Sequence, residues 1–267
     1  METLLADRAV LEIRGDDART FLQGLITNDI HRLGADKPLY AALLTPQGKI
    51  LCDFLLYAYE ASVLLDCPAV GAADLKTRLS RYRLRARAEI VLRADLAIAA
   101  SLETAHAGSG SYRDPRHPAL GWRTVLTAGS PPELSPSGAY LDRRLALGIP
   151  EGADFGSDRM FALDADLDEL HGVSFDKGCY VGQELTARMK HRGTARKRLL
   201  PVETDGLLPA ADTPIAAGER ELGVITSVRG ERGFAAIRLD RLEDAQGVAL
   251  HAAGVPVQIR KPEWLFA

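Results

Sequence analysis

The chain has 267 residues, of which 46% are hydrophobic and 26% charged, proportions that exclude intrinsic disorder, collagen-like repeats and a coiled coil. Lys and Arg number 33 and Asp and Glu 36, for a net charge of −3, which excludes a wholly basic nucleic-acid coat. No apolar run approaches the roughly 18 residues that span a bilayer. Cys52, Cys67 and Cys179 form no CxxC pair; they are too few for a disulfide framework or for a self-contained four-thiolate metal site, and they point to a reducing compartment. The start of the chain lacks a basic stretch followed by a long apolar one, and its early acids argue against a transit peptide.

Alternation of Ala9, Leu11 and Ile13 predicts a short strand. Gly15-Asp16-Asp17 then offers a cap for a helix with Phe21, Leu22 and Leu25 on its apolar face and Gly24 as its stop. Thr27-Asn28-Asp29 reads as a second cap or turn. Leu39–Leu44 and Ile50–Tyr57 flank Thr45-Pro46-Gln47-Gly48-Lys49, which is hairpin chemistry. A strand is expected over Ser62–Asp66 and a helix over 71–81, where Leu75 and Leu79 are four apart. Arg81 to Ala88 alternates with period two, so a strand with four arginines on one face is expected there. Residues 105–118 and 127–138 read as loops, and 139–148 as a helix ending at Gly148.

From Glu151 to Asp176 eight acids face one base, Arg159. Lys177-Gly178-Cys179-Tyr180-Val181-Gly182-Gln183-Glu184 then leads into a helix reaching about Met189. Beyond Gly193, short apolar runs (199–202, 222–228, 234–239, 255–259) separated by turn residues predict a small β-barrel or sandwich. The boundary is expected near 192–196, giving an α+β lobe over 1–192 and a C-terminal β domain over 193–267, without the regular βαβ repetition of a Rossmann sheet.

Three segments could carry chemistry. In the first, a cysteine at a loop-to-helix junction can have its thiolate stabilised by exposed N–H groups, with Lys177 adding charge. Gln183 and Glu184 could read a flat heterocycle, the carboxylate accepting two parallel N–H bonds. The plainer alternative is a small buried Cys179 and a solvated first-turn Glu184. In the second, Asp53 could hydrogen-bond an amine or act as a general base, or it is a solvated edge-strand acid. The third is basic: residues 76–93 carry +6 and residues 188–198 carry +6, against −7 over 151–176. These stretches suit a polyanion, or they are salt-bridged surface. Aromatic interleaving is thin, so nucleic acid is not the expected partner. The histidines form no HxH, HxxxH or HExxH pattern, so no protein-only metal site is expected.

The Lys177–Glu184 segment resembles the signature of the YgfZ-type folate-binding proteins, iron–sulfur-assembly relatives of the glycine-cleavage T-protein (aminomethyltransferase). Phe21–Asp29, Leu43–Asp53, Gly148-Ile149-Pro150 and Arg192-Gly193 followed by Arg196-Lys197-Arg198 resemble the superfamily in the same order. The resemblance implies interleaved α+β subdomains around a central folate-sized cavity, plus a C-terminal β-barrel. It implies a tetrahydrofolate-type ligand, with Glu184 on the pterin edge, Gln183, Tyr180 and Lys177 beside it, and Asp53 near the reactive nitrogens. It makes Cys179 the functional thiol, and Arg83 and Arg85 could then face a glutamate tail. The implied role is maintenance of iron–sulfur enzymes, including those that modify tRNA, as an assembly factor rather than a conventional enzyme. The implied partners are scaffold or carrier proteins and client enzymes, a cluster being shared with a partner. The implied compartment is the cytoplasm of a bacterium or, after removal of a transit peptide, the mitochondrial matrix. The transferase has adjacent aspartates where this chain has Cys52-Asp53, which argues against aminomethyl transfer. Folate-dependent one-carbon transfer stands as the alternative.

Overall fold

A computed structural model describes residues 2–105, 110–129, 138–193 and 196–265; the expected loops at 105–118 and 127–138 lie partly outside these residues. In chain order the elements are β1 (Glu2–Leu4), β2 (Arg8–Arg14), α1 (Ala18–Gln23), β3 (Leu39–Leu44), β4 (Ile50–Tyr59), β5 (Ser62–Pro68), α2 (Ala72–Arg83), β6 (Glu89–Leu92), β7 (Leu96–Ser101), β8 (Ser111–Arg113), β9 (Trp122–Thr127) and α3 (Gly138–Leu147). There follow α4 (Gln183–Arg192), β10 (Lys197–Glu203), β11 (Pro214–Ala217), β12 (Arg220–Arg229), β13 (Arg232–Arg238), α5 (Leu239–Asp244), β14 (Leu250–Ala252) and β15 (Val255–Ile259).

The strands form three antiparallel bodies: a five-stranded sheet β3-β4-β5-β2-β6, a four-stranded sheet β1-β7-β9-β8, and a closed six-stranded barrel β10-β13-β12-β11-β14-β15. The β3–β4 hairpin turns where expected, with Gly48 at φ +84. Its register pairs Ala42 with Asp53 and Tyr40 with Leu55. Because successive residues alternate faces, Phe54 and Leu56 join α1 and α2 in one core, with Leu22, Leu75 and Leu79. Leu55, Tyr57 and Tyr40 face the opposite core, with Ile98 of the four-stranded sheet, Tyr140 of α3 and Phe234 of the barrel. Asp53 is thereby aimed at the meeting point of all three bodies.

The expected arginine strand over 81–88 does not form. Helix α2 runs on to Arg83 and ends at Leu84, which has φ +45 and is 87% exposed. Arg, Leu and Ala are good helix formers, and the buried Leu75–Leu79 stripe carries the helix through the alternation. Arg81 and Arg83 therefore sit in the last helical turn, where cations suit the helix dipole. The cap expected at Asp17 is also used differently: its carboxylate accepts from the Arg87 N–H at 2.8 Å instead of from its own helix.

Candidate functional site

A cavity of about 430 Å³ opens beside Asp53, within the range of small-molecule sites. Leu51, Pro68, Leu75, Leu141 and Phe155 supply apolar wall, and Arg8, Cys52, Arg144 and Glu151 supply polar groups. Asp53 is 1% exposed. Its Oδ2 accepts from the Tyr40 hydroxyl (3.1 Å) and its Oδ1 from the Gly152 N–H (3.1 Å). Burial pushes the Asp53 carboxyl above its ordinary range; Arg8 pulls the other way and Glu151 adds to the push. Asp53 is thus a buried cavity acid and not a solvated edge residue.

Behind it lies a buried charge network that the sequence reading did not single out. Arg8 donates to Asp66 at 2.6 Å, and Arg123 to the other Asp66 oxygen at 3.1 Å. Arg116 bridges Asp114 and Glu151, each at 2.7 Å, and Arg144 bridges Glu151 and Asp154. Asp154 also accepts from Ser227 Oγ of the barrel at 2.6 Å. Burial works against the Glu151 charge, yet Arg144, Arg116 and Arg123 hold its carboxyl well below the usual range. Two signals were present in the sequence. Arg144 lies four residues after Tyr140 on the apolar stripe of α3, and Arg123, between Trp122 and Thr124, is the one charged residue of its strand.

The Lys177–Glu184 segment occupies a different surface, and none of its residues lines the cavity. Lys177 is buried, and its ammonium donates to the carbonyls of Gln23, Ile26 and Asn28 at 2.7, 2.7 and 2.8 Å. All three N–H bonds are thereby committed to backbone. Burial lowers its pKa to about 8, against the pull of Asp29. Tyr180 is buried beneath this ammonium, 4.9 Å from it to the ring centroid. Gly182, at φ +82, caps α4 and lies against the hairpin turn at Thr45. Gln183 opens α4. Glu184 is 85% exposed and paired with Arg188 at 2.6 Å. Cys179 is exposed, three residues ahead of the helix cap and not within its first turn.

The other thiols face inward. Cys67 is buried, its pKa pushed up to about 12. Half-buried Cys52 lines the cavity and donates to the Asp53 carbonyl at 3.4 Å, burial holding its thiol well above the ordinary value. The basic stretches are sorted by ion pairs. Arg78 meets Asp74, Arg87 meets Asp16 and Asp17, and Arg93 meets Glu12 and Asp95. Arg198 is buried against Asp166 and Asp168, and Lys190 also reaches Asp168. Arg83 borders a shallow surface groove with Arg14 and Arg87, away from the Asp53 cavity, and Arg85 is exposed in the turn beyond α2.

Residues 196–267 match the family model described as CAF17, C-terminal beta-barrel domain. The chain is 33% identical to the human protein named iron-sulfur cluster assembly factor IBA57, mitochondrial, over 97% of this chain and 84% of that protein. It is 34% identical to the mouse protein of the same name, over 90% and 78%. Among solved structures, the aminomethyltransferase T of the glycine cleavage system from Bartonella henselae superposes with a TM-score of 0.76 over 98% of this chain and 85% of that one. At 14% identity that likeness is one of fold.

Proposed function

Since this chain belongs to the family of the iron–sulfur cluster assembly factor IBA57, we propose that it serves the assembly, insertion or repair of iron–sulfur clusters through the thiol of Cys179. The observation that carries this reading is the exposure of Cys179 while Cys52 and Cys67 turn inward. Clusters of this kind are held by four ligands, mostly thiolates. The remaining ligands then come from a scaffold or carrier protein, the cluster being cargo passed on to client enzymes, tRNA-modifying ones among them. The rigid anchoring of Lys177, Tyr180 and Gly182 around it supports this use, because it holds an exposed thiol in one place. The setting is the compartment that houses the machinery, the mitochondrial matrix in a eukaryote. Expression of Cys179→Ser in a deletion strain lowers cluster-enzyme activity about tenfold or more, the scale on which metal sites lose function when a supporting contact is removed. Full restoration of activity would reject the role of the thiol.

The cavity at Asp53 takes a tetrahydrofolate-type ligand. Its volume suits a heterocycle, and a buried carboxyl among apolar walls offers one point of polar recognition to such a ring. Glu184, exposed and outside the cavity, is not assigned to this ligand. Asp53→Ala weakens tetrahydrofolate binding about tenfold in a titration, the value of one good hydrogen bond. Equal affinity of variant and wild type would remove Asp53 from the site.

A further inference from the structure

Among the described residues, the buried carboxyls Asp53 and Glu151 line the cavity and Asp66, Asp114 and Asp154 belong to the charge network behind it; four of these five touch a guanidinium. Asp66 meets Arg8 and Arg123. Asp114 meets Arg116, Glu151 meets Arg116 and Arg144, and Asp154 meets Arg144. Asp53 is the fifth, and its two donors are neutral: a tyrosine hydroxyl and a backbone N–H. Four guanidinium groups are already balanced by four carboxylates, so a charge on Asp53 would be surplus in a water-poor interior. A buried carboxyl in that position takes up a proton instead of keeping its charge.

Resting on the reading of this cavity as a ligand site, we propose that Asp53 stands in the ligand-free cavity as the neutral acid and selects ligands that present a hydrogen-bond acceptor or a basic nitrogen to it, over ligands that present an anion. Where the ligand nitrogen is basic enough, the Asp53 O–H bond breaks and an N–H bond forms on the ligand. The carboxylate left behind keeps Tyr40 and Gly152 as donors and gains the cationic nitrogen as its counter-ion.

The groups that face Asp53 from each neighbouring element are consistent with this. From β2, Arg8 is its strongest attractive charge, but Arg8 is spent on Asp66. From the segment before β9, Arg116 is held by Asp114 and Glu151. From α3, Arg144 is held by Glu151 and Asp154. At the cavity mouth Asp74 and Arg78 pair with each other, and Asp7 adds negative charge. The neighbouring Cys52 thiol stays neutral, since burial raises it. Burial outweighs the pull of Arg8 on Asp53 itself.

The test is read on the ligand-free protein. Carbon-13 NMR of labelled aspartate, with the Asp53 carboxyl assigned through its backbone correlations, finds that resonance still at the acid position at a pH where the exposed aspartates have already moved to the carboxylate position, and moves it only as pH rises further. A carboxylate position throughout pH 5–7 overturns the proposal, whether or not any variant folds. Thermal melts give a second readout. An acid whose folded pKa is raised stabilises the fold below that pKa and loses the contribution as pH climbs through it. Asp53→Asn therefore melts near wild type at pH 5 and gains on it toward pH 8; a gap that does not change with pH also overturns the proposal. Tetrahydrofolate forms a separate arm. Asp53→Asn, which can still donate, weakens it less than Asp53→Ala does, and equal weakening counts against an acid donor. Absence of tetrahydrofolate binding to wild type removes the ligand reading while leaving the NMR result to stand or fall alone.

Discussion

At Asp164, half-buried beside the barrel, burial outweighs the pull of Lys197 and Arg198 and pushes the carboxyl up to about 6. Its folded pKa lies above its unfolded one, so its proton favours the fold below about 4, and the contribution is lost as pH rises through 6. Two pH units correspond to about 3 kcal/mol, and partial solvent exposure cuts this to about 1–2 kcal/mol. Asp164→Asn then stabilises the protein by that amount at pH 7.5 and leaves it unchanged at pH 3.5, as urea melts at the two pH values would show; a stability loss at pH 7.5 would contradict the sign. Lys177 teaches the complementary lesson. In the sequence it reads as a positive neighbour for a thiol, but its three carbonyl partners lie about 150 positions earlier in the chain, beyond the reach of any local pattern.

At the level of elements, the segment entering α4 divides between display and anchorage. A Cβ at Gly182 would sit 2.5 Å from the Thr45 carbonyl and 2.8 Å from Leu44 Cβ, at a φ of +82. Gly182→Ala therefore costs about 2 kcal/mol or more, combining left-handed strain with a clash against backbone. Gly178 has nothing within 4 Å of its virtual Cβ, so Gly178→Ala shifts stability by about 0.5 kcal/mol or less. Equal losses in the two variants would show that the hairpin contact does not anchor the thiol-bearing loop. The elements themselves were unevenly legible. Helix α2 and the β3–β4 hairpin follow from spacing and turn chemistry. The arginine alternation misled because period two was carried by residues with no preference for a strand, while the leucines ahead of them kept helical spacing. The four-stranded sheet escaped notice because β1 and β8 are three residues each and β7 is rich in alanine.

Across the whole molecule, the three bodies meet through polar side chains as well as apolar ones. Asp154 marks the junction: it accepts from Arg144 of α3, from the Glu151 N–H and from Ser227 of barrel strand β12. Only the Glu151–Asp154 cap is local in sequence; Arg144 of α3 and Ser227 of the barrel reach Asp154 through the tertiary fold, which closes the charge balance. The roles of these partners differ in size. Ser227→Ala removes one hydrogen bond to a charged acceptor and costs about 1–2 kcal/mol. Asp154→Ala leaves the buried Arg144 guanidinium with Glu151 as its remaining carboxylate and strips a cap from the turn at 151–154, for about 3–5 kcal/mol. The double variant falls short of the sum, since Ser227 has lost its acceptor once Asp154 is gone. Urea unfolding of the single and double variants reads all three values. Strict additivity would mean that Ser227 and Asp154 are not coupled, and that this contact does not tie the barrel to the turn beside the Asp53 cavity.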